Sequence, residues 1–101
     1  MKYYKASAVV TDKFRRVTDT LEISRNIITY SVKDCYQDAS DAFLALSTGN
    51  DRFERYGPVG VLLGEAASAR RVNSFKHIDW ENQDYKYSIE IQCFNTDWLP
   101  C

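Results

Sequence analysis

The chain has 101 residues, 45% of them hydrophobic and 27% charged, with a formal net charge of -1. That size suits one domain with one modest core, the hydrophobic content argues against global disorder, and the near-neutral balance argues against a generic nucleic-acid binder, which needs a basic surplus to displace phosphate counterions. The longest apolar patch, Val59–Leu63, is far short of the roughly 18 residues of a membrane span, and the opening Met-Lys-Tyr-Tyr-Lys lacks the apolar core of a signal peptide.

Cys35, Cys93 and Cys101 are odd in number and show no C-x-x-C spacing, so they read as free thiols in a reducing, cytoplasmic compartment. The charge is unevenly spread. Residues 1–33 carry +4 and residues 78–101 carry -4. The two ends can attract one another, or the acidic end can face a basic partner.

Tyr3 to Val10 alternates, with Tyr4, Ala6, Ala8 and Val10 on one side, and reads as a strand. A polar, basic connection follows, Thr11 to Arg16. Val17 to Ile23 alternates again, with Val17, Leu21 and Ile23 inward and Asp19 breaking the set. Ser24-Arg25-Asn26 is a turn candidate, and the β-branched and aromatic run Ile27 to Lys33 suits a third strand. The period then changes. Ala39, Ala42, Phe43 and Leu46 trace the stripe of an amphipathic helix, with Asp34, Asp38 and Ser40 as candidate N-caps and Gly49 as its stop.

Pro58 opens a second helical pattern in which Val59, Leu62, Leu63 and Ala66 share a face and Arg70 and Arg71 fall in the last turn. A short buried strand at Val59–Leu63 is the competing reading, since brief apolar runs are ambiguous. Phe75 to Trp80 is a strand candidate, turned by Asn82-Gln83-Asp84 into the clearest strand of the chain. There Tyr85, Tyr87, Ile89, Ile91 and Cys93 alternate with Lys86, Ser88, Glu90 and Gln92. Residues 95–101 form a tail carrying Trp98. The expectation is a single α+β domain over 1–101. Its sheet is antiparallel or mixed, of about five strands in the order β-β-β-α-α-β-β, with two helices on one face.

Chemistry is thinly signalled. His77 is the only histidine, two residues before Asp79, and a pairing with Cys93 on the neighbouring strand is conceivable. A small buried thiol is the plainer reading of Cys93. Nothing else supplies a nucleophile motif or zinc-type spacing, so no catalytic site, metal or cofactor is expected. Gly57, Gly60 and Gly64 match no phosphate-binding pattern, and close helix packing better explains Gly60 and Gly64. Lys13-Phe14-Arg15-Arg16 is a basic loop too short to be specific.

The strongest signal is the acidic and aromatic neighbourhood of Trp80, Glu81, Asp84 and Glu90, with Trp98 in the tail. The expected function is a small, cytoplasmic, non-enzymatic protein-binding module of the inhibitor, immunity or accessory-factor kind. It would meet a basic partner surface through that hairpin, with a homo-oligomer also compatible. The alternative is a binder of a small anionic ligand or nucleotide, using Arg52, Arg55, Arg70 and Arg71 around the second helix.

Overall fold

The structure, a computed structural model, describes residues 2–27, 31–49, 53–69 and 75–95. Its elements are β1 (Lys2–Asp12), β2 (Thr18–Ile27), α1 (Val32–Ser47), a 3-10 turn (Glu54–Tyr56), α2 (Gly57–Ala67), β3 (Phe75–Glu81) and β4 (Tyr85–Asn95). The four strands form one antiparallel sheet in the order β2-β1-β4-β3.

The two strands with the cleanest alternation occupy the centre. Tyr4 pairs with Cys93, Ala6 with Ile91, Ala8 with Ile89 and Val10 with Tyr87. All eight are buried, and they form one core cluster with Cys35, Tyr36, Ala39 and Phe43 of α1 and Val59, Leu63 and Ala67 of α2. Period two thus supplies the floor of the core and period 3.6 supplies its roof. Full burial of a side chain such as Ile89 or Ile91 contributes about 1.5–3 kcal/mol.

The two helices cross closely. Ser40 on α1 is buried and its Oγ donates to the Gly60 carbonyl at 2.5 Å. A Cβ at Gly60 would lie 2.6 Å from Leu44 Cγ and 3.0 Å from the Ser40 carbonyl oxygen, and one at Gly64 would lie 3.0 Å from Ser40 Oγ. Glycine is therefore required at 60 by the partner helix and not by its own backbone. Close packing, as expected from the sequence, is the role of both residues. Val59–Leu63 is helical, which settles the strand alternative.

Three expectations need correcting. The sheet has four described strands, not about five, and the order is β-β-α-α-β-β. The expected hairpin of Val17–Ile23 with Ile27–Lys33 is instead a single strand, β2, that runs straight through Ser24-Arg25-Asn26. Its neighbour β1 is long enough to pair it from Thr18 to Ile27, so no turn is needed. Residues 28–30 lie outside the described residues. Val32 and Lys33 belong to α1, whose N-cap is Ser31, its Oγ accepting from the Asp34 N–H at 3.1 Å. Asp34, Asp38 and Ser40 are inside the helix. Lastly, α2 ends at Ala67 with Ser68 as its C-cap, and Arg70 and Arg71, expected in its last turn, lie outside the described residues. Gly49, at φ +69°, is the left-handed stop just beyond α1.

Candidate functional site

Both hairpin turns lie at one end of the sheet and are tied together. In the β1–β2 connection, Asp12 Oδ1 accepts from the backbone N–H groups of Phe14 and Arg15 at 2.9 and 3.0 Å. Arg16 closes the loop in the left-handed region at φ 56°. In the β3–β4 connection, Asn82 Oδ1 accepts from the N–H groups of Asp84 and Tyr85 at 2.9 and 2.8 Å, doing the work a glycine would otherwise do. Lys13 joins the two: its Nζ donates to the Asn82 carbonyl at 2.6 Å and pairs with Glu81 at 2.8 Å. That pair holds the Glu81 carboxyl below its ordinary pKa. One contact between the basic and acidic ends of the chain is thereby realised.

The helices cover one face of the sheet. On the other face the register sets out rows of side chains: Glu22, Ser7, Glu90 and His77 in one, and Thr20, Val9, Ser88 and Asp79 in the next. Small residues at Ser7, Val9 and Ser88 leave the middle low. A shallow depression of about 640 Å³ is lined by Val9, Thr11, Asp79, Glu81, Lys86 and Ser88 among others. The charged side chains of this face are four acids, Glu22, Asp79, Glu81 and Glu90, set among Lys5, Lys86, His77 and, at the turn end, Lys13.

His77 sits between two of these acids. Its Nε2 is 2.8 Å from Asp79 Oδ1 and its Nδ1 is 3.1 Å from Glu90 Oε1. An ionised carboxylate only accepts, so both contacts are hydrogen bonds at once only when both ring nitrogens carry protons. Asp79 first, and Glu90 second, accordingly raise the histidine pKa. The sequence places His77 and Asp79 on one face, and they meet. Cys93 is on the opposite face, buried, with Sγ 3.9 Å from the Val32 carbonyl. A Cys93–His77 pair, catalytic or metal-binding, is therefore ruled out by strand alternation. Among the described residues no cluster of three or more His, Cys, Asp or Glu is disposed to hold a metal ion.

Trp80 does not share the face of Glu81 and Glu90. It pairs with Tyr87, so it points to the helix side of the sheet and not to the acidic face. The helix layer does not extend over β3, which leaves Trp80 41% exposed on a ledge, its ring tilted against Tyr87 at 5.4 Å. Ile78, two residues back, is half-buried on the same ledge. Tyr85 adds a third ring, 6.2 Å from Tyr87. Of the other residues expected at a partner surface, Glu81 and Glu90 lie on the open face, Asp84 lies in the turn, and Trp98 lies outside the described residues.

Of the cations of the alternative reading, Arg55 alone lies among the described residues. Arg55 is in the 3-10 turn, ion-paired with Asp19, and its guanidinium lies 5.7 Å from the Tyr56 ring centre. Its backbone carbonyl accepts from the Tyr87 hydroxyl at 2.9 Å. It is a strut between the helix layer and β2. Arg52, Arg70 and Arg71 lie outside the described residues. Asp19 breaks the inward pattern of β2 because it is the partner of this arginine.

Sequence reasoning named Asp79 only beside His77 and did not bring Glu22 or the small residues of the open face into a site. A turn at 82–84 sets Glu81 opposite Tyr85, one residue from the observed register, in which Asn82 and Tyr85 close the turn, Glu81 pairs with Lys86 and His77 with Glu90. Among the described residues no helix is long and apolar enough to cross a membrane. No protein-family model, curated protein or solved structure matches the chain.

Proposed function

We propose that the chain is a non-enzymatic protein-binding module of the inhibitor, immunity or accessory-factor kind, and that it meets a basic surface of its partner with the open face of its sheet. The observation that carries this reading is the one-sided covering of the sheet. The open face of the sheet has no layer over it among the described residues, and it bears Asp79 and Glu81 at a shallow depression, with Glu22 and Glu90 in the neighbouring row. An antiparallel sheet with one wet face is ordinary. Four carboxylates interleaved with Lys5, Lys86, Lys13 and His77 over small side chains are less so, and they offer a partner's cationic groups discrete points of contact. A shallow depression also suits a protein surface better than a small substrate, which is usually enclosed.

The test compares affinity capture by the wild type and by a Glu81→Lys/Glu90→Lys variant, each checked for unchanged thermal unfolding. A protein with a basic surface should be recovered by the wild type, lost with the variant, and released as salt rises. Equal recovery by both proteins would refute the reading.

A further inference from the structure

β3 is the terminal strand of the sheet, with β4 on one side and, among the described residues, no strand on the other. Its sequence Phe75-Lys76-His77-Ile78-Asp79-Trp80-Glu81 has basic groups before Ile78 and acidic ones after it. We infer that two copies of the chain associate edge to edge through β3, antiparallel and centred on Ile78, into one eight-stranded sheet.

Complementarity in that register is the argument. Centring on Ile78 sets His77 of each copy opposite Asp79 of the other, on the open face. On the helix side it sets Lys76 opposite Trp80 and Ile78 opposite Ile78. All seven residues of the strand are used. Paired residues must share a face, so the centre can move only by whole residues. Centring on His77 sets two histidines against each other, and centring on Asp79 sets two carboxylates against each other. Only the Ile78 register leaves no like charges directly opposed. It also joins the two uncovered ledges, so that Ile78 and the exposed face of Trp80 gain neighbours, with the Lys76 ammonium over the indole.

The other edge lacks these properties. On β2, the helix-side charges Asp19 and Arg25 are held by Arg55 and Asp38 of the helix layer, whereas the His77–Asp79 pair of β3 lies within the edge strand itself and can bridge to its symmetry mate. The middle of that strand falls between Glu22 and Ile23: a two-fold on Glu22 sets two glutamates face to face, and one on Ile23 sets Glu22 against Ser24 and Leu21 against Arg25, pairing no opposite charges. In the β3 dimer the two-fold axis is perpendicular to the sheet, since the strands are antiparallel and keep the same face up. Both acidic faces then lie on the same side. The dimer does not depend on the reading of that face as a partner surface.

The experiment is sedimentation equilibrium of the full chain over a wide concentration range, at about pH 6, below the ordinary histidine pKa. The wild type should show a monomer–dimer equilibrium. His77→Asp and Asp79→Lys each oppose like charges at two symmetry-related positions, and each should raise the dimer dissociation constant about tenfold or more. Mixing the two variants restores opposite charges at both positions, so a heterodimer should form where neither variant dimerises alone. Both positions are exposed, and circular dichroism checks that each variant is folded. A wild type that stays monomeric throughout would overturn the inference. So would a dimer that survives both substitutions, since its interface would lie elsewhere.

Discussion

Replacing Gly60 with alanine tests how closely the two helices approach. The added methyl would lie 2.6 Å from Leu44 Cγ, 2.9 Å from Leu44 Cδ2 and 3.0 Å from the Ser40 carbonyl oxygen. Leu44 is 37% exposed and can turn outward, which relieves the first two contacts. The carbonyl is backbone of α1 and cannot, so the helices must part by a few tenths of an ångström. That opening also strains the buried 2.5 Å hydrogen bond from Ser40 to Gly60. Overpacking costs roughly 1–3 kcal/mol, and alanine's helix propensity offsets about 1 kcal/mol of it. The expected net loss is about 1 kcal/mol, lowering Tm by about 5 °C in a domain of this size. Urea and thermal unfolding of Gly60→Ala, Leu44→Ala and the double variant read the effect directly. Leu44→Ala should cost little alone and should recover part of the loss when combined, giving a favourable coupling. A Gly60→Ala protein as stable as the wild type, or strict additivity in the double variant, would refute the close crossing.

Two further outcomes follow from the turn end and the open face. The His77 pKa is raised in the folded chain, so the stability it adds is present below about pH 6.5 and is lost as pH rises through the folded value. The wild type should therefore lose stability across that window while His77→Gln stays flat, and an NMR-titrated pKa at or below the ordinary value would count against the imidazolium bridge. At the β1–β2 loop, Arg16→Gly removes a side chain from a left-handed residue at φ 56°. Relief of about 1–2 kcal/mol exceeds the added chain entropy of about 0.4–1 kcal/mol, so denaturant unfolding should show a modest gain. A loss would mean that the arginine side chain holds the loop.

What the sequence shows about this molecule depends on what a local pattern can carry. Strands β1 and β4 are legible almost to the residue because one face is buried along most of their length. The helices are legible for the same reason at the other period. The junction at 27–33 is misread because Ile27 and Val32 are β-branched yet belong to different elements, and the break between them is made by Ser31 capping α1. Trp80 is misplaced because alternation gives a face but not how far the opposite layer reaches. The helix layer stops short of β3, and no residue of β3 announces it. Asp19 looks like a flaw in a strand until Arg55, 36 positions away, is beside it.

The central pairing of β1 with β4 joins Tyr3 to Phe94, whose rings stack at 4.8 Å. Each outer hairpin can form as soon as its own turn is made, but the core has no complete floor until those two halves meet. Closing so long a loop is slow. A ribosome would have to deliver nearly all of the described chain before Tyr4, Ala6, Ala8 and Val10 found their permanent neighbours. Until then β1 would present an apolar, unpaired margin, so the vulnerable moment in the life of this protein falls during its synthesis.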